Sequence, residues 1–171
     1  MSGRLVWPPS KGLIADLPDL APSAASRPDA SELAALQRDL AAEAARLGFA
    51  AFGVADAASD PQRASRLSEW LGEGRHGTME WMEARAEQRA APQVLWPEAK
   101  RVIALGMSYA PAADPRAHAE VPERGRISVY AQGADYHDTV KKALKALARW
   151  LCAEAARRGF GTPQVKVFVD T

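Results

Sequence analysis

"DYHDTVKKALKALARWLCAEAARRG" occupies residues 135–159. Within it Val140, Leu144, Leu147 and Leu151 recur three or four positions apart, the spacing of one helix face. Asp135 stands where an N-cap carboxylate accepts the first unpaired amides, and Asp138 adds negative charge to the first turn, where the helix dipole favours it. Gly133 permits the turn before it, and Gly159 supplies the stop. The pattern predicts a helix from Tyr136 to about Arg158. "VKVFVDT" (165–171) follows, an apolar and β-branched run that reads as a buried strand.

Working outward, the same alternation recurs upstream. Ser31 reads as an N-cap with Glu32 in the first turn, and Leu33, Leu36, Leu40, Ala44 and Leu47 share a face until Gly48. "FAAFGVAD" (49–56) reads as a buried strand. "RASRLSEWLGEG" (63–74) reads as a helix ending at Gly72 or Gly74, and "HGTMEWMEARAEQR" (76–89) as another ending before Pro92. "RVIALGMSYAP" (101–111) is the clearest strand. Residues 111–125 read as an exposed loop, and "RISVYAQG" (126–133) as a strand or an extended pocket wall. The expected class is therefore α/β (α+β), with helices packed on a mixed sheet. Residues 1–30, rich in Pro, Ser, Ala and Asp, read as a disordered extension, and 31–171 as one domain. Ligands bind at the carboxyl ends of strands in such sheets, so the chain reads as cut at the edge of a site.

Composition excludes several function classes. The 171 residues carry 22 Lys and Arg against 21 Asp and Glu, a net charge of +1, so the chain is not a strongly basic nucleic-acid coat. One cysteine, Cys152, cannot build a disulfide framework or an iron–sulfur site. His76, His118 and His137 are too scattered for a metal site, and no metal ligand is assigned. No apolar run approaches the roughly 20 residues of a membrane span, and the N-terminus lacks the order of a secretory signal.

Four features carry chemistry in one reading and plain structure in another. "GEGRHG" (72–77) matches a dinucleotide-loop spacing, but it follows a helical pattern rather than a strand, so it reads as a glycine turn between helices. Asp170 ends an apolar strand, as a cap for the next turn or as a proton donor. Lys141, Lys142, Lys145, Arg149, Arg157 and Arg158 make either a solvated helix face or a contact for RNA phosphates. Tyr136 and His137 start a helix whose capping needs neither of them.

Four segments together resemble the N-terminal part of the epoxyqueuosine reductases: "LGFAAFGVAD", "LSEWLGEGRHGTMEWMEARAEQRAAPQVLWPEAKRVIALGMSYAP", "RISVYAQGADYHDTVKKALKALARWL" and "VKVFVDT". The combination of "HGTMEWM", R-x-x-P-x-x-L-x-P, YA-x-G-x-DYH and "FVD" carries the resemblance, over roughly residues 31–171. It implies a cytoplasmic, monomeric oxidoreductase of queuosine biosynthesis. Such an enzyme reduces epoxyqueuosine in the wobble position of a tRNA anticodon loop, using cobalamin and four-iron clusters fed by a reducing partner protein. It implies Asp170 as proton donor and cobalamin contact, Arg89 and Ser128 as cobalamin contacts, and Tyr136 and His137 as the pocket wall. Val129 and Ala134 stand where many members have arginine. The resemblance places the cluster cysteines downstream of Asp170, so the chain alone is expected to be inactive. A corrinoid-binding module without reductase activity, or an inactive fragment, are the alternatives.

Overall fold

The computed structural model describes residues 13–14, 28–58, 60–112, 114, 116, 121, 123–125 and 127–169. These fall into two compact units: the described residues up to Ala50 with those from Met107 onward, and Ala51–Gly106.

In the first unit, helix α1 spans Ala30–Arg46. Its N-cap is Asp29, not Ser31: the Asp29 carboxylate accepts from the Glu32 N–H at 2.8 Å, and Glu32 accepts from the Asp29 N–H at 2.9 Å. Two reciprocal bonds stabilise the end more than one serine hydroxyl does, which decides the boundary. The chain leaves α1 through Gly48 at φ +94°, a left-handed conformation suited to glycine.

Helix α5, Tyr136–Arg157, lies against α1. Leu147, Ala148, Cys152 and Ala155 of α5 are buried, as are Leu40 and Ala44 of α1. Of the stripes read from the sequence, Leu147, Leu40 and Ala44 are buried, while Val140, Leu144, Leu151, Leu36 and Leu47 are half-buried and Leu33 is exposed. Cys152 donates from Sγ to the Pro163 carbonyl at 3.3 Å, and burial pushes its thiol pKa up, so it packs as an inert protonated thiol.

A charged clamp closes the far end of the helix pair. Glu154 accepts from Arg157 at 2.5 Å and from Arg158 at 2.8 Å, and Arg158 also pairs with Asp39 of α1. These arginine bonds pull the Glu154 carboxyl from its ordinary 4.5 to about 2. A depressed carboxylate stabilises the fold fully above its unfolded value and loses that effect as pH falls through its folded value. Melting temperatures of wild type and Glu154→Gln should therefore differ at neutral pH and converge between pH 4.5 and about 2. A gap that persists undiminished at pH 2 contradicts the clamp.

Strand β4, Lys166–Val167, pairs antiparallel with β1, Leu13–Ile14, with Leu13 opposite Val167. Of residues 1–30, read from the sequence as a disordered extension, those described are Leu13–Ile14, which pair with β4, and 28–30, where Asp29 caps α1.

In the second unit, β2 (Phe49–Asp56) pairs with β3 (Arg101–Met107). The Ala57 N–H donates to Lys100 O at 3.3 Å, Arg101 bonds Asp56, and a Cβ on Gly106 would sit 3.3 Å from that of Ala51. Partners that descend along one strand as they ascend the other define an antiparallel pair. The described strands thus form two two-stranded antiparallel sheets rather than one mixed sheet. β2 is not a buried strand either: beyond Phe49 its residues are exposed or half-buried. Helix α2, Pro61–Gly72, is capped by Asp60 with Pro61 at its first position. "GEGRHG" is the turn after it, with Gly74 and Gly77 at positive φ. A 3₁₀ turn (Glu80–Arg85) and two short helices, α3 (Ala86–Ala90) and α4 (Pro92–Leu95), complete the unit where one longer helix is expected.

Candidate functional site

The first unit presents an aromatic cluster at the start of α5. The loop before it is held by local bonds. Ser128 O accepts from the Ala131 N–H at 2.9 Å, closing a 3₁₀ turn over Val129–Ala131, and the Gln132 side chain donates to Ile127 O at 2.7 Å. The segment is therefore a turn, not a strand. Gly133 at φ +106° redirects the chain toward the helix, a conformation that L side chains rarely adopt.

Asp135 then does more than cap. Its Oδ1 accepts from the His137 N–H at 2.8 Å and lies 2.8 Å from His137 Nδ1. These two bonds, the backbone one first, hold the Asp135 carboxyl below its usual range. An ionised carboxylate only accepts, so Nδ1 carries the proton in this pair. That fixes the imidazole plane. The Tyr136 ring stacks on it at 4.1 Å between centroids and 27° between planes. Tyr130 meets Tyr136 edge to face at 6.5 Å. Tyr130 is 57% exposed and Tyr136 37% exposed, so the cluster faces outward rather than filling a core. Ser128 opens the same loop and is exposed, and its hydroxyl has no hydrogen-bond partner among the described residues.

Arg89 belongs to the second unit. It sits on α3, with its guanidinium over the Trp81 ring at 4.8 Å from the centroid and Nη1 3.5 Å from Met82 O. Trp81 is 56% exposed. Cation–π contact fixes the arginine's plane while leaving its other edge for a ligand. In the same unit His76 pairs through Nε2 with Glu83 at 3.1 Å, and its buried Nδ1 has no partner among the described residues.

Of the residues expected to form the site, the structure brings Tyr136 and His137 together and puts Ser128 on the loop that leads to them. Arg89 is placed with different neighbours. Asp170 and His118 lie outside the described residues. No group of three or more potential metal ligands occurs among the described residues. Sequence reasoning missed Tyr130, Trp81, His76 and the second role of Asp135. The only signal for the last was the spacing Asp135-x-His137, which suits an Asx-type bond.

Comparison with known proteins now bears on this geometry. A family profile described as "Epoxyqueuosine reductase QueG, DUF1730" matches residues 89–171. The epoxyqueuosine reductase of Pseudomonas aeruginosa is 37% identical over 147 residues, covering 85% of this chain and 38% of that protein. That of Xanthomonas campestris is 36% identical over 148 residues, covering 85% and 39%. That of Gloeobacter violaceus is 41% identical over 126 residues, covering 73% and 36%.

Over most of its length the chain is similar to the epoxyqueuosine reductases.

It corresponds to an N-terminal region of these reductases and spans rather more than a third of the length of the curated relatives it matches. No solved structure matches it. The family profile begins at Arg89 and takes in Ser128, Tyr136, His137 and Asp170, so every residue chosen for the site falls inside the reductase match.

Proposed function

We propose that this chain supplies the cobalamin-binding region of an epoxyqueuosine reductase, which reduces epoxyqueuosine to queuosine in the wobble position of tRNA. The observation that carries the reading is the outward-facing cluster of Tyr130, Tyr136 and His137, oriented by Asp135 and preceded by an exposed Ser128 whose hydroxyl makes no cap bond to the turn it opens.

The fit is chemical. A corrin is a broad, flat ring rimmed by amide side chains. Its face suits exposed aromatic rings, and its amides suit hydroxyls and arginines whose donors are not already used. In the first unit Ser128 would hold an amide group and Tyr136 and His137 would line the ring; Arg89, in the second unit, is by itself a candidate donor to an amide; cobalamin when bound would supply the reducing chemistry. Asp170 would deliver the proton that lets the epoxide oxygen leave as water. Four-iron clusters do not fit this chain, since a cluster of that type takes four thiolates and Cys152 is the one cysteine, buried against Pro163. They belong to the part of the reductases that this chain does not span. The same reading carries a cytoplasmic monomer served by a separate reducing protein. Among the described residues no helix is long and apolar enough to cross a membrane.

Absorbance titrations with cobalamin test the assignment of residues. Tyr136→Leu is expected to weaken binding about 10-fold, the size of one lost aromatic contact. Ser128→Val and Arg89→Ala should each weaken it by a similar factor, the cost of an unpaired amide. Isotherms unchanged in all three variants contradict the site.

A further inference from the structure

The cations of α5 are not equivalent. Arg157 and Arg158 are consumed by Glu154 and Asp39. Arg46, Arg75 and Arg101 elsewhere are paired with Glu43, Glu73 and Asp56. Lys141, Lys142, Lys145 and Arg149 form no ion pair among the described residues, yet they stand together along an open groove of about 230 Å³. Asp138 is the single acid in that lining, and it sits at one end, in the first turn, where the helix dipole already holds it.

Lys141, Lys145 and Arg149 follow one another at i, i+4 and i+8. At about 1.5 Å per residue they form a straight row about 12 Å long. Like charges at this spacing repel and cost the helix stability, so the row is unfavourable in the free chain. The repulsion vanishes if a linear polyanion lies along it. A nucleic-acid strand offers one charge per roughly 3.4 Å of axis, hence three or four phosphates over that length. A bilayer would also want apolar side chains to insert, and the only large exposed hydrophobic of α5 is Tyr136, in its first turn.

We propose that Lys141, Lys142, Lys145 and Arg149 form a docking ridge for the phosphodiester backbone of RNA. The choice of RNA among polyanions rests on the reading above that the chain serves a modified nucleoside in tRNA. The ridge positions the strand and reads no base.

The test is fluorescence anisotropy of a labelled tRNA anticodon stem-loop with the full 171-residue chain across a salt series. Each cation that neutralises a single-strand phosphate contributes about 0.7 to the slope of log K against log salt. The triple variant Lys141→Gln, Lys145→Gln, Arg149→Gln should lose about 2 from that slope and bind roughly 40-fold more weakly at 0.15 M salt. Lys141→Arg with Lys145→Arg should bind like wild type. Circular dichroism should show the triple variant as helical as wild type. An equal slope and affinity in the triple variant overturns the ridge. So does a wild-type chain that ignores the stem-loop, or that binds phosphatidylserine vesicles or polyglutamate as tightly. Cobalamin titration of the same samples separates this claim from the one it rests on. Ridge-dependent RNA binding without cobalamin binding leaves the ridge standing and removes the cofactor reading. Cobalamin binding with RNA binding indifferent to the ridge does the reverse.

Discussion

Asp170→Asn is expected to lower epoxyqueuosine reduction by about 10²- to 10⁴-fold, the range a positioned proton donor contributes. The measurement belongs in a protein that joins this chain to the cluster-bearing region of the family. Opening an epoxide leaves negative charge on oxygen, and that oxygen departs as water only after protonation. Asparagine keeps the size and polarity of the side chain and removes the proton. The pH profile carries the distinctive signature. With an aspartic acid donor the rate falls as pH rises through its pKa. That limb should be missing in Asp170→Asn and present in Asp170→Glu. A profile and rate unchanged by Asp170→Asn contradict the role.

Leu147→Ala is expected to destabilise the chain by about 2–5 kcal/mol, as large-to-small changes in packed cores do. Leu147 is 4% exposed on α5, and most of the other buried residues of α5 and α1 are small: Ala44, Ala148, Cys152 and Ala155. Side chains that small cannot reach across the gap a leucine leaves, so the cavity term persists. Urea denaturation followed by circular dichroism should show an earlier midpoint with an unchanged slope. Leu33→Ala is the control. It lies on the expected stripe of α1 but is 49% exposed, and it should cost far less. Equal costs for the two would mean that the α1–α5 interface is not the core of its unit.

The contrast between Leu33 and Leu147 also shows how far the sequence could be read. Both fit the helical period, and period alone cannot say which end of a stripe meets a partner. The long helix was legible because its cap, stripe and stop agree over 22 residues. The start of α1 was placed two residues late: Ser31 is a good cap in isolation, but the Asp29–Glu32 pair makes two bonds to its one. β2 was read as buried because its residues are apolar. Burial depends on what lies on each face, and among the described residues β2 pairs with β3 alone. "RISVYAQG" alternates like a strand, while its actual form follows from the Gln132 bond to Ile127 O, which no period encodes. At the site, Tyr136 and His137 were visible through the family signature. Their orientation by Asp135 and the edge contact from Tyr130 needed coordinates. The pairing of Arg158 with Asp39 joins residues far apart in sequence, so the split of the α5 cations into paired and unpaired sets was equally hidden.

The most direct test of the account is the absorbance spectrum of the purified 171-residue chain titrated with cobalamin. The account predicts a saturable spectral change at one cobalamin per chain, diminished in Tyr136→Leu. A spectrum that stays the sum of free cobalamin and free protein at every ratio would contradict it.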